Sequence, residues 1–103
     1  MIPLSAAVRQ RLEVLFAEPA RTQAGELLER ECGDGLPMTS HADLHFYDRI
    51  RLAVLRLSNG NLDTLRQQIE NAHFDWRDVL LAAGFGSDLE AHSKWMPGGR
   101  VGS

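Results

Sequence analysis

Apolar residues recur along this chain at the three- and four-residue intervals of amphipathic helices, and turn-forming residues separate the runs. The first stripe is Val8, Leu12, Leu15 and Phe16, opened by Ser5 as an N-cap and closed by Pro19. A second, over about Ala20–Glu31, uses Ala20, Ala24, Leu27 and Leu28; its small residues, and Gly25 within it, predict a peripheral helix. Cys32-Gly33-Asp34-Gly35 reads as a turn and Leu36-Pro37-Met38 as an extended connection.

The spacing predicts a third helix capped by Thr39 or Ser40 and running to about Ser58. Phe46, Ile50, Ala53 and Leu57 make one face, Tyr47 and Val54 widen it, and Leu52 and Leu55 add apolar surface behind. A helix apolar around most of its circumference belongs at the centre of a fold. Gly60 supplies a left-handed stop and Asn61 the next N-cap. Leu62, Leu65, Ile69 and Ala72 then form a packing seam. His73-Phe74 breaks it, and Asp75 caps a short helix from Trp76 to Ala83 that stops at Gly84. Ser87-Asp88-Leu89-Glu90 fits a capping box for a last helix ending near Trp95. No strand-like alternation of useful length appears. The expectation is an all-α fold, a compact bundle of five or six short helices, with one domain over residues 1–96 and a flexible tail over 97–103.

Composition narrows the classes of function. A chain of 103 residues with 44% apolar and 24% charged residues is long enough for one small core. A net charge of −3 argues against nucleic acid as a partner, since phosphate contacts need clustered positive charge. The basic residues are nearly all arginine, Lys94 being the one lysine, which reads as the coding bias of a GC-rich bacterial genome. A single cysteine, Cys32, excludes an intrachain disulfide. Charges interrupt the first apolar run at Arg9, Arg11 and Glu13, so it does not read as a signal peptide, and no stretch reaches membrane-spanning length. A cytoplasmic protein with no membrane association is expected.

Candidate chemistry is sparse. His41, His45 and Asp48, at i, i+4 and i+7 of the third helix, would share a face, and two imidazoles with a carboxylate can chelate a divalent metal. The same residues also suit a solvated polar face, and His92 and Glu90 join the site only if the fold brings them close. Cys32 has acidic neighbours in Glu29, Glu31 and Asp34, which disfavour a thiolate, so an incidental thiol is expected. Arg49, Arg51, Arg56 and Arg66 are dispersed, and ion pairs with Asp48, Asp63 and Glu70 are expected of them; Arg49 and Arg56 share the one face that could meet DNA. No cofactor-binding pattern and no supported catalytic constellation is present.

Arg49-Ile50-Arg51-Leu52-Ala53-Val54-Leu55-Arg56-Leu57-Ser58, then Gly60-Asn61-Leu62, then the run from Asp75-Trp76-Arg77-Asp78 to Ala82-Ala83-Gly84-Phe85, resemble a group of small bacterial helical proteins. Their pattern is RIxxAVLKLSxGxL followed by DWRDxLxAAGF, with a closing His and Trp that would here be His92 and Trp95. The resemblance covers about the second half of the chain. It implies a bacterial, cytosolic, all-helical protein and supplies no catalytic residues. Together these readings predict a non-enzymatic interaction module that forms a homodimer or meets a protein partner, with Phe46, Tyr47, Trp95 and Met96 as its apolar interface. The alternatives are a DNA-contacting regulator and a metal-dependent enzyme built on His41, His45 and Asp48.

Overall fold

A computed structural model describes residues 2–33, 35–36, 43–86 and 91–95. Among them are five helices and no strand: α1 (Ala6–Leu15), α2 (Ala20–Glu31), α3 (Leu44–Ser58), α4 (Leu62–Ala82) and α5 (Ala91–Lys94). No helix among the described residues is long and apolar enough to cross a membrane. The fold is therefore the expected all-α bundle of short helices. The boundary expected at residue 96 and the tail 97–103 lie outside the described residues.

Local chemistry sets the helix ends. Ser5 accepts from the Val8 N–H at 3.2 Å, and Asn61 accepts from the Thr64 N–H at 2.9 Å. Between α3 and α4 the chain turns through left-handed Asn59 and Gly60. A Cβ at Gly60 would lie 3.0 Å from the Leu15 carbonyl oxygen, and its φ of +79° strains any side chain there, so glycine suits the close approach of the turn to the end of α1. α4 is two helical pieces joined at Asp75, whose backbone is extended (φ −159°, ψ 99°) and whose Oδ1 accepts from the Arg77 N–H at 3.0 Å. Hydrogen bonds from the Arg77 side chain and backbone hold the Asp75 carboxyl below its usual range. The break expected there is thus an internal cap.

The start of α3 differs from expectation. Asp43 is extended (φ −104°, ψ −179°), and its carboxylate accepts from the Phe46 N–H at 3.0 Å. The cap is therefore Asp43 rather than Thr39 or Ser40, which lie outside the described residues. An aspartate in that position satisfies a first-turn N–H and places negative charge at the positive end of the helix.

α3 and α4 form the most extensive contact; α1 packs on α2 and α3, α2 on α4, and α5 on α3. From Ile50 to Leu55 every residue of α3 is buried, as a central helix requires. One of these is charged. Arg51 is fully buried, its Nε donating to Cys32 O at 2.7 Å, Nη1 to Pro3 O at 2.9 Å and Nη2 to Ile2 O at 2.7 Å. Its guanidinium thereby ties the extended segment before α1 and the end of α2 to the central helix. Gly33 permits the approach, since a Cβ there would stand 3.0 Å from Arg51 Nη2.

Two further arginines are used in the same way. Arg11 reaches from α1 to the end of α5, donating to Trp95 O through Nε (3.0 Å) and Nη2 (2.9 Å) and to Ser93 O at 3.1 Å. Arg49 donates through Nη2 to Phe85 O at 2.7 Å. Arg49 and Arg51 thus make buried bonds to main-chain carbonyls, and Arg66 pairs with Asp63 at 3.5 Å as expected. The planar guanidinium spreads five donors over a fixed fork and so reaches carbonyls set further apart than the three donors of a compact lysine ammonium can.

Arg51→Met keeps a long apolar stem but leaves three inward-facing carbonyls without their donor. It is expected to destabilise the fold by about 3 kcal/mol or more, with no rescue by Arg51→Lys. Urea unfolding followed by circular dichroism checks this, and an unchanged midpoint contradicts it.

Candidate functional site

The chemistry-bearing side chains gather where the first turns of α3 meet α5 and the turn after α4. α3 presents His45 at the surface, Asp48 half-buried and Arg49 buried. α5 supplies His92, which is only 4% exposed. The His45 and His92 ring centroids lie 4.8 Å apart, with the planes at 75°. Phe85, just past the Gly84 stop, places its ring 6.4 Å from both His92 and Trp95, and the Arg56 guanidinium lies 5.5 Å from its centroid. Arg49 Nε, buried in the same region, makes no hydrogen bond.

Of the expected metal set, His45 and Asp48 are among the described residues. α3 starts after Asp43, and His41 lies outside the described residues. His45 and Asp48 do share the first turns of the helix. The side chain brought beside His45 is His92, from 47 positions along the chain. Among the described residues no group of three or more His, Cys, Asp or Glu side chains is placed to hold a metal ion.

The expected interface residues divide. Phe46 is half-buried, edge-on to Trp76 at 4.7 Å and 5.7 Å from Tyr47. Tyr47 is 4% exposed, so the apolar surface expected of it is taken up within the fold. Trp95 is half-buried against the core, and Met96 lies outside the described residues.

The most exposed large apolar side chain among those described is Phe74, at 90%. In sequence it marked only the end of a seam. The helical period explains its direction: two residues past Ala72, at about 100° each, it points almost opposite to the buried stripe. Its ring forms one wall of a shallow cavity of about 350 Å³ whose other walls include Asn71, Asp75, Asp78, Val79 and Ala82. Leu81, further along α4, is also exposed.

Two other candidates are closed off. Arg49 is turned inward, so the Arg49/Arg56 face offers a phosphate only Arg56. Cys32 is buried, and burial pushes its thiol up to about 12 against the opposing pull of the Arg51 charge. Its low nucleophilicity thus comes from burial, where the sequence pointed to acidic neighbours.

The fold and its exposed surfaces define a small all-α domain with an aromatic and histidine corner and an apolar projection on α4. Compared with known proteins, the chain matches no family model, no curated protein and no solved structure.

The Cys32 thiol gives a test of this burial. Its ordinary value of 9.0 applies in the unfolded chain, while the folded chain keeps the proton up to about 12. The folded state therefore binds more protons over that window, and stability falls as pH rises from 9 towards 12. Cys32→Ala should lack this part of the slope in chemical denaturation at a series of pH values. Parallel slopes for the two proteins contradict the burial of the thiol.

Proposed function

We propose that this chain is a small non-enzymatic helical interaction module that self-associates through the outer face of α4. The observation that carries the reading is Phe74, a phenylalanine ring 90% exposed beside a cavity of about 350 Å³. An isolated exposed apolar residue is ordinary. A projecting ring with a depression next to it on one rigid surface is different, because the patch is then self-complementary. A two-fold pairing can seat each copy's Phe74 in the cavity beside the other's, which is the geometry an isologous interface needs.

Area and charge support this occupant. α4 has 21 residues and so runs about 30 Å. A standard interface takes about 800 Å² from each partner, a modest part of a surface of 5825 Å². The net charge of −3 is too small to hold two copies apart. Trp95 and Phe46, half-buried in their own chain, contribute less to this surface than the sequence led us to expect. The single, buried cysteine accords with a reducing cytoplasm, and the resemblance to small bacterial helical proteins belongs to the same reading.

Native mass spectrometry of the untagged protein tests it. The wild type is expected as a dimer, Phe74→Glu as a monomer of unchanged helical content, and Trp95→Ala as a dimer. A monomeric wild type, or a Phe74→Glu variant that stays dimeric, would overturn the reading.

A further inference from the structure

We propose that His45 and His92 together form a site for a divalent first-row transition-metal ion, bridging α3 and α5. The two imidazoles come from helices far apart in sequence, yet their ring centroids are 4.8 Å apart. Two imidazoles bound to one tetrahedral zinc have centroids about 5 Å apart, given Zn–N bonds of about 2 Å and the size of the ring. The spacing of the pair is therefore already that of a shared ion. The rings meet edge to face, and the broad χ2 preference of histidine lets the exposed His45 turn a nitrogen towards the His92 ring without moving the backbone.

The surroundings suit a bridging ion. His45 is exposed, which opens the site to solvent and lets water complete the coordination. His92 is buried against Phe85, so its ring is held in place. Asp48, one turn beyond His45 on the same side of α3, brings negative charge close by. Imidazole ligands select zinc, nickel and copper over magnesium and calcium. With two protein ligands the ion fastens a four-residue helix to the bundle, and the site is independent of the α4 face on which self-association rests.

The test uses zinc alone, added to untagged full-length protein stripped with chelator. By calorimetry the wild type should bind one ion per chain, and His45→Ala, a change at the surface, should weaken binding by more than about tenfold. His41→Ala should bind as the wild type does. In nitrogen-correlated spectra of the wild type, the imidazole signals of His45 and His92 should move together on addition of zinc, which needs no variant of the buried ring. Absence of binding, wild-type affinity in His45→Ala, loss in His41→Ala, or movement of the His45 signals without those of His92 would each overturn the proposal.

Discussion

Everything else in the bundle is arranged around a charge withdrawn from water: the guanidinium of Arg51, with three main-chain carbonyls at 2.7 to 2.9 Å. Removing such a group from solvent costs several kcal/mol, so it persists only where charge-assisted bonds answer it. Its acceptors belong to the segment ahead of α1 and to the cap residue of α2, and the donor sits on the central helix. One side chain thus fixes how three parts of the chain meet. A short helix leaves its last carbonyls without partners, and in a chain of 103 residues many such ends lie close to the core. Arg11 at the end of α5 and Arg49 at the Phe85 turn answer the same need. His73 does so at α2, its Nε2 donating to the Glu31 carbonyl.

Turning arginines inward shapes the outside of the molecule as well. Arg11, Arg49 and Arg51 hold the fold together, and the exposed arginines of α4, Arg66 and Arg77, pair with Asp63 and Asp75. The break at Asp75 matters here for a second reason. It lets the second piece of α4 bury Val79 and Leu80 while Phe74, just ahead of it, stays outside. The histidines sit on α3 and α5, so the two surfaces with something to offer a partner or ion lie on different elements.

Much of the fold was legible in the sequence because caps and seams are local. Ser5, Asn61 and Asp75 act as their side-chain chemistry demands, and the apolar run of α3 announced a central helix. The start of α3 was misplaced because several N-cap residues precede it, and sequence does not show which of them meets an N–H. Arg51 was read as a surface residue for a deeper reason. Its bonds to Ile2, Pro3 and Cys32 go to main-chain carbonyls, and every residue has a carbonyl, so no side-chain pattern marks these three. The one hint was its place inside a fully apolar run, with Gly33 clearing the space. His45 could be singled out by its helical neighbours, but its proximity to His92 depends on how α5 folds back, which no short-range signal encodes. Phe74 was missed because a break in a seam says where packing ends and not what the odd residue then does.

The buried guanidinium can be observed directly in the intact protein. Its Nε–H, in a nitrogen-correlated spectrum, should exchange with solvent as slowly as the core amides of α3, because the donor is fully buried and bonded to Cys32 O. Slow exchange, with a resolved signal of its own, is the result this account predicts. Exchange at the rate of a surface arginine such as Arg66 would mean that Arg51 faces water, and the interaction on which the arrangement depends would not exist.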